Sequence, residues 1–361
     1  MGKDSEYYKE KKRTQVMRLR ELLSECPEFV SDFIYDKELT SQTSTLIMYT
    51  YDIMTFLRFE LQSSSHFKGR DMKDIKIEEL AKLNSKDIVE YQHFLEYNSD
   101  PDERHENGKK AISRKFSALR GLFKYHLEHG NIQNNPMALV KMPKIKKDKN
   151  IVRMNNQEVV DLLTIVERGF EKMSDRQRKF LEKTKQRDIA IMTLMLGTGI
   201  RVSECVGLDI KDVDLKANTL TIVRKGGGQD ILYFNDEINE KLSEYINGER
   251  ALIIAENGHE DALFYSLQKK RISVDAVEKL VKKFSLPVSG GKKITPHKLR
   301  STYGTALYRS TGDIRLVADV LGHENINTTI DYYAAIEDEH KQQAADAVRY
   351  KKTESYKADK K

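Results

Sequence analysis

The chain has 361 residues, of which 39% are hydrophobic and 33% are charged, a length and balance that suit two soluble domains. A formal net charge of +6 weakly favours a nucleic-acid partner over a neutral substrate. Two distant cysteines, Cys26 and Cys205, exclude a disulfide framework and a cysteine-rich zinc site. The N-terminus lacks the apolar core of a signal peptide and no run of about 18 apolar residues occurs, so we expect a cytoplasmic protein without a membrane span.

Helical spacing of apolar residues dominates the first part of the chain. Helices are predicted over 43–61, 84–98 and 108–130. Residues 1–40 are expected to form an N-terminal helical extension. Two prolines and a dense lysine run indicate a basic linker over 136–154, so residues 41–135 are predicted to form one helical domain.

The helix over 108–130 has two different faces when its residues are placed about 100° apart. One face is apolar and comprises Ile112, Phe116, Leu119, Phe123 and Leu127. The opposite face has basic ends around small residues, namely Lys110, Arg114, Ser117, Gly121 and Lys124. A solvated surface often produces this pattern. The pattern also suits a helix beside a DNA groove, because basic side chains reach phosphates and small ones avoid clashes, which makes DNA-binding candidates of Lys110, Arg114, Ser117 and Lys124.

The part of the chain after the linker combines helices with one β-hairpin. Helices are predicted over 155–170, 185–200 and 273–285, and the second is apolar all round its middle, as a central core helix would be. Two β-branched and aromatic runs flank "KGGG" over 219–234, which is the pattern of a hairpin. The predicted fold class is therefore mainly α with a small antiparallel β-sheet. The second domain is predicted over 155–350, and its polar last helix, 336–350, precedes a lysine-rich disordered tail, 351–361.

Side chains that can act on a phosphodiester gather near the C-terminus. "TPHKLRSTYGTALYRSTG" predicts a helix with His297 and Arg300 on one face, and "DIRLVADVLG" predicts a second helix that ends directly before His323. "NTTIDYYA" predicts a third, short helix that carries Tyr332 and Tyr333. Arginine binds phosphate, histidine moves protons near neutral pH, and tyrosine can be a covalent nucleophile. The residues alone leave open which tyrosine would react.

Arg201, Glu204 and Lys225 complete this chemistry earlier in the chain. Arg201 follows the Gly-Thr-Gly turn in "LGTGIRVSE", and Glu204 shares its face and can orient it. A surface ion pair is the plainer alternative for these two residues. Lys225 lies at the glycine-rich hairpin tip, where it can approach a nucleic-acid backbone and protonate a leaving oxygen, or simply be a solvated turn residue.

The order and context of these motifs resemble the active site of the tyrosine recombinases, also called phage-type integrases. The resemblance rests on "GTGIRVSE", "RKGGG", "TPHKLR" and "LGHENINTT", and "AISRKFSALRGLFKYHLEHGNIQNNPMALVKMPK" is similar to the core-binding domain of that family, so that roughly residues 40 to 350 are covered. Xer-type recombinases of the single-protein, streptococcal kind look most similar. The family's spacing places the nucleophile at Tyr332, nine residues after His323. Ser301 and Tyr333 depart from the family, which commonly has histidine and threonine there.

The resemblance implies a fold, a site and partners. It implies a helical, SAM-like core-binding domain and a catalytic domain that form a C-shaped clamp on DNA. It implies that the partners are double-stranded DNA with a specific recombination site and further copies of the chain, in a synaptic tetramer. The helix over 336–350 would dock on a neighbouring subunit, and packing on its own domain is an equal alternative. It implies a reaction without metal or other cofactor, in which the catalytic residues are Arg201, Lys225, His297, Arg300, His323 and Tyr332 and the arginines are positioned by Glu204.

The implied reaction is cleavage and rejoining of DNA through a 3′-phosphotyrosyl intermediate and a Holliday junction. Such a reaction serves either integration and excision of a mobile element or resolution of chromosome dimers. Two other functions fit the same residues less well. A type IB topoisomerase would relax supercoils as a monomer, and a regulator of the same fold would bind DNA without cleaving it. An unrelated helical protein would carry these motifs by chance.

Overall fold

The computed structural model describes residues 6–97, 108–142, 152–170, 173–224 and 227–323, together with positions 326 and 330. The chain divides into two compact units, over 4–147 and 148–361. Within the described residues, no helix combines the length and the apolar character that crossing a membrane requires. The predicted fold class is confirmed, because helices dominate and the sheet has three antiparallel strands.

The N-terminal unit consists of helices. Helices α3, α5 and α6 correspond to the three that apolar spacing predicts, with bounds within a few residues of the expected ones. The short α4 and the two helices before α3 complete the unit, whose elements are α1 (Glu6–Ser24), α2 (Glu28–Glu38), α3 (Thr43–Ser63), α4 (Ile77–Leu80), α5 (Ser85–Tyr97) and α6 (Lys109–Glu128).

One hydrophobic core serves all of the long helices in this unit. Leu19 of α1 and Phe33 of α2 are buried in the same cluster as Phe56 of α3, Tyr91 of α5 and Phe123 of α6. Helix α3 packs against α1, α2 and α6. The helical extension expected over 1–40 therefore consists of two helices, and both contribute to the core of the same compact unit.

Helix α6 differs from its predicted faces at two positions. Ile112, Phe116 and Phe123 are buried as expected, but Leu127 is 39% exposed because it lies in the last turn, beyond the packed part of the helix. Gly121 is not on an open face, since a Cβ built on it would lie 3.0 Å from the ring of Phe33. A glycine at this position lets α6 approach α2 closely.

The C-terminal unit surrounds one apolar helix. The elements of this unit are α7 (Asn156–Arg168), α8 (Asp175–Glu182), α9 (Lys185–Thr198), α10 (Val202–Val206), α11 (Asp236–Asn247), α12 (Val274–Ser285), α13 (Pro296–Thr311), α14 (Ile314–Val320), β1 (Val213–Asp214), β2 (Thr219–Val223) and β3 (Gln229–Tyr233). Helix α9 packs against α7, α11 and α13 and is buried all round from Ile189 to Met195, so it is the predicted central helix.

The predicted hairpin is also present. Strands β2 and β3 pair antiparallel with Thr219 opposite Tyr233 and Val223 opposite Gln229, and β1 pairs with the outer edge of β2. The hairpin tip therefore begins at Arg224, directly after the last paired residue of β2. The two central positions of the tip, 225 and 226, lie outside the described residues.

Candidate active site

Arg201 is held at the start of α10 by the carboxylate that follows it three residues later. The chain leaves α9 through Gly199, whose φ of +63° is the left-handed conformation that glycine adopts easily. Glu204 Oε2 then accepts a hydrogen bond from the Arg201 backbone N–H at 2.9 Å, and Glu204 Oε1 accepts one from Arg201 Nη1 at 2.8 Å. Glu204 is only 4% exposed. The pair is therefore anchored in the protein interior and is not a surface ion pair.

Arg300 is buried between the ends of two helices. It lies on α13, which begins with Pro296 at its first position, a favoured residue there. Its Nη1 donates to the Gly199 carbonyl at 2.6 Å, and its Nη2 donates to the Leu321 carbonyl. The side chain thus connects the end of α9 to the turn after α14, although these residues are far apart in the sequence.

The turn over Leu321, Gly322 and His323 is the point on which both arginines converge. Arg201 Nη2 donates to the Gly322 carbonyl at 2.8 Å, next to the Leu321 carbonyl that Arg300 uses. The turn is closed because the backbone N–H of His323 donates to the Ala318 carbonyl at 2.9 Å, and Gly322 has a φ of +57°. Helix α14 ends at Val320 and Gly322 follows it in the left-handed conformation, as the sequence indicated. His323 therefore lies beside the two guanidinium groups.

The histidines are held in their neutral forms. Burial, followed by the positive charges of Arg300 and Arg201, lowers the pKa of His323 to about 4. Partial burial of its ring also lowers the pKa of His297. The positive charges of Lys298, Arg300 and Arg201 add to this effect. A neutral imidazole has one N–H donor and one acceptor nitrogen, so its chemistry includes both donation to an oxygen and acceptance of a proton.

We expect His323 to make stability depend on pH below neutrality. The unfolded chain takes up a proton on this residue as the pH falls through 6.5, whereas the folded chain does so only near pH 4. Between these values the unfolded state binds more protons, so the free energy of unfolding decreases as the pH falls. Urea unfolding at about pH 5 and about pH 7.5 should show a smaller decrease for His323→Gln than for the wild type. The exposed His129→Gln is the matched control, and an equal decrease in all three proteins would contradict the prediction.

Arg224 is a further member of the cluster that the sequence did not single out. Its Nε donates to Asp230 Oδ2 at 2.9 Å, and its Nη2 donates to the Val320 carbonyl at 3.0 Å. Its Nη1 lies 3.6 Å from Glu204 Oε1, the oxygen that also accepts from Arg201. The only signal in the sequence was its position directly before Lys225, which does not distinguish it from any basic residue at the end of a strand.

The predicted DNA-binding residues of α6 differ in exposure and in their contacts. Lys110, Ser117 and Lys124 are exposed, and Lys124 Nζ lies 3.6 Å from Glu128 Oε1. Arg114 is 38% exposed at its side chain and its Nη1 is bonded to the buried carboxylate of Asp52 on α3. Arg114 therefore links two helices as well as reaching the surface.

Several predicted residues lie outside the described part of the chain. These are the hairpin lysine Lys225, both candidate nucleophiles Tyr332 and Tyr333, most of the third short helix that carries them, residues 143–151 of the linker, the helix over 336–350 and the tail over 351–361. The structure therefore brings together Arg201, Glu204, Arg300, His323 and, one helical turn from Arg300, His297.

Comparison with known proteins identifies the family of the chain. The sequence model of the phage integrase family matches residues 152–340, a range that contains Arg201, Glu204, His297, Arg300 and His323. The chain belongs to the phage integrase family. Tyrosine recombinase XerS of Streptococcus thermophilus (strain CNRZ 1066) is 31% identical over 358 residues, which cover 92% of this chain and 98% of that protein. Tyrosine recombinase XerC of Caldanaerobacter subterraneus subsp. tengcongensis is 31% identical over 312 residues, 83% of this chain and 80% of that protein. The chain is thus a site-specific tyrosine recombinase of the Xer type, and the predicted resemblance is confirmed.

Two solved structures that share the fold are recombinases in complex with DNA. A complex of the Tn1549 transposon integrase with circular intermediate DNA has a TM-score of 0.60 and 17% identity, and covers 88% of this chain and 98% of that chain. The XerH site-specific recombinase bound to palindromic difH substrate, a post-cleavage complex, has a TM-score of 0.59 and 21% identity, and covers 84% of this chain and 79% of that chain. At these identities the likeness concerns the fold of the recombinase.

Proposed function

We propose that this recombinase cleaves and rejoins double-stranded DNA through a phosphotyrosine formed by Tyr332. The observation that carries the proposal is the convergence of Arg201 and Arg300 on adjacent carbonyls of one turn, directly beside His323. Carbonyls fix the planes of both guanidinium groups before any DNA binds. Preorganised donors of this kind stabilise charge that develops in a transition state without further rearrangement.

The reaction begins with attack of the Tyr332 phenolic oxygen on the scissile phosphorus. The bond from phosphorus to the 5′-oxygen breaks, and the DNA 3′ end is left as a phosphotyrosine. Arg201 and Arg300 offset the extra negative charge of the pentacoordinate phosphate, and neutral His323 donates a hydrogen bond to a non-bridging oxygen. Because the phosphotyrosine conserves the energy of the phosphodiester, attack by the 5′-hydroxyl of another strand restores a DNA backbone and frees the tyrosine.

Proton transfer is assigned to Lys225 and His297. Lys225 gives a proton to the 5′-oxygen as it leaves, so that a neutral hydroxyl departs instead of an alkoxide. His297 lies three residues before Arg300 on α13, is partly accessible and is neutral, so it can accept the proton of the attacking phenol. Glu204 acts through Arg201, because it accepts from both the backbone and the side chain of that arginine. It is therefore a positioning residue.

DNA binding and assembly belong to the same proposal. The domain over 41–135 would contact the duplex through Lys110, Ser117 and Lys124, with Arg114 fixed by Asp52 at the edge of that surface. Four copies would act on two DNA sites through a Holliday junction, and the helix over 336–350 would dock on a neighbouring subunit. The relatives bound to difH and to transposon DNA support a duplex site as the substrate.

Covalent capture of DNA tests this function directly. Nicked duplexes taken from DNA that flanks the gene and from candidate dimer-resolution sites are offered to the protein, and adducts that survive denaturant are digested with trypsin. We expect the DNA remnant on the peptide 316–341, with fragmentation placing it on a tyrosine. The duplex that reacts distinguishes a mobile element from dimer resolution. Specific binding without any adduct would instead support a non-catalytic regulator, and relaxation of supercoils by a monomer without strand exchange would support a topoisomerase.

A further inference from the structure

Arg224 closes the base of the hairpin tip with its backbone. Its N–H donates to the Gly228 carbonyl at 2.8 Å, and its carbonyl accepts from the Gly227 N–H at 3.0 Å. Its side chain returns along the hairpin to Asp230 on β3. Asp230 Oδ2 accepts a hydrogen bond from Arg224 Nε at 2.9 Å and lies 2.8 Å from Arg224 Nη2. Backbone and side chain together therefore fix the residue that directly precedes Lys225.

The same side chain is attached to the turn that both catalytic arginines use. Nη2 of Arg224 donates to the Val320 carbonyl at the end of α14. A Cβ built on Gly322 would lie 2.7 Å from Arg224 Cζ, so Gly322 packs directly on the guanidinium. The side chain is only 13% exposed, and its Nη1 lies beside Glu204 at 3.6 Å. Three segments that are distant in the sequence thus meet at one guanidinium.

We propose that Arg224 is a positioning residue that ties the β2–β3 hairpin to the Leu321–His323 turn and thereby supports proton transfer to the leaving oxygen. The inference rests on the proposed role of Lys225 as general acid. Lysine has a flexible stem, and a proton donor is effective only within hydrogen-bond reach of the leaving oxygen. Arg224 is covalently joined to this lysine, so we expect loss of the Arg224 contacts to slow the proton-transfer step.

Only an arginine can make this set of contacts. A guanidinium donates in several fixed directions at once, here toward Asp230 and toward the Val320 carbonyl, whereas a lysine ammonium is a compact point charge. A direct contact of Arg224 with the scissile phosphate is the competing role. It is favoured by Nη1, which is buried and has no hydrogen-bond partner among the described residues. The contacts to two protein segments and the packing of Gly322 favour positioning.

The positioning role and the phosphate-contact role predict different effects of the leaving group on the cleavage rate of an Arg224 variant. Replacing the bridging 5′-oxygen of the scissile phosphate by sulfur gives a thiolate leaving group, which departs without a proton. Formation of the covalent adduct is measured under single-turnover conditions on the unmodified duplex (the oxygen substrate) and on the sulfur-containing duplex (the sulfur substrate). On the oxygen substrate we expect Arg224→Met to be slower than the wild type by about 10²-fold, as for a misplaced catalytic group. On the sulfur substrate we expect it to react within a few-fold of the wild type. Equal losses on both substrates would overturn the inference and favour the phosphate contact.

Two controls separate this inference from the proposed function. Lys225→Ala should also be restored by the sulfur substrate. If it is not, the assignment of Lys225 fails, whereas restoration of Lys225→Ala but not of Arg224→Met refutes only the inference. Arg315→Met, which changes an exposed arginine at the start of α14, should match the wild type on both substrates.

Further variants guard against a loss of folding. Thermal unfolding of Arg224→Met is compared with that of the wild type before the kinetics are interpreted. If Arg224→Met does not fold, Arg224→Lys and Asp230→Asn decide the matter, because each weakens the tie with a smaller change in volume or charge. Each should lose more rate on the oxygen substrate than on the sulfur substrate. The inference would be overturned if both folded variants had the same ratio of oxygen-substrate rate to sulfur-substrate rate as the wild type.

Discussion

Replacement of Tyr332 by phenylalanine is expected to abolish covalent capture of DNA, whereas Tyr333→Phe should still form the adduct. Phenylalanine keeps the ring and removes the oxygen that attacks phosphorus, so no phosphotyrosine can form, although arginines and histidines still bind the phosphate. Both proteins should bind the reactive duplex with similar affinity, because a single neutral hydroxyl adds little to contacts dominated by phosphates. Adduct yield on nicked duplex and binding by titration of the same duplex measure the two effects separately.

The two adjacent tyrosines are matched controls for each other. They share a backbone segment, so a general disturbance of that segment would reduce the adduct in both variants. Loss of the adduct in Tyr333→Phe alone would move the nucleophile one residue along the chain. Persistence of the adduct in both single variants would mean that either ring can reach the phosphorus, and the double variant Tyr332→Phe/Tyr333→Phe would then have to be inactive.

Local patterns in the sequence were sufficient to predict the elements that carry the site. Apolar spacing predicted α3, α6, α9 and α13 within a few residues, because the side chains that define a helix face are near neighbours along the chain. Glycines marked the ends of α9 and α14 for a similar reason, since Gly199 and Gly322 both adopt a positive φ. The pairing of Arg201 with Glu204 was also predictable, because residues three apart on a helical turn face one another.

Contacts between distant parts of the chain were not predictable in the same way. Arg300 reaches the carbonyl of Gly199 across 101 residues, and Arg224 reaches that of Val320 across 96. Neither contact leaves a periodic signal, since each depends on how helices and hairpin pack. The exposure of Leu127 and the close approach of Gly121 to Phe33 depend on the same tertiary packing. The spacing of residues predicts one element at a time, whereas this candidate site is assembled from the ends of several elements.

The histidines illustrate what assembly adds to the chemistry. His297 and His323 were selected because free imidazole titrates near neutral pH. In the folded protein, burial comes first among the causes that lower the pKa of His323 to about 4, followed by the arginines. The guanidinium groups that we propose to bind a phosphate therefore add to the effect of burial and favour the neutral imidazoles in the free protein. A bound phosphate would oppose these charges and raise both pKa values again.

Arg300→Lys is expected to slow DNA cleavage by about 10²- to 10³-fold, the range for removal of a preorganised donor to a transition state. The lysine keeps the positive charge, but it cannot donate to the Gly199 and Leu321 carbonyls together as the guanidinium does. At least one buried carbonyl then loses its donor, so we also expect the free energy of unfolding to fall by about 1–3 kcal/mol. Single-turnover cleavage of a nicked duplex and urea unfolding without DNA measure the two losses.

Arg315→Lys is the matched control, because it makes the same chemical change at an exposed arginine of α14. It should leave both cleavage and unfolding close to wild type. If Arg300→Lys lowered stability but cleaved at the wild-type rate when assayed well below its unfolding midpoint, Arg300 would serve only to join α9 to the turn after α14. A loss of cleavage that exceeds the loss of DNA binding would instead place Arg300 against the phosphate in the transition state, because a donor needed only for binding would reduce both to a similar degree.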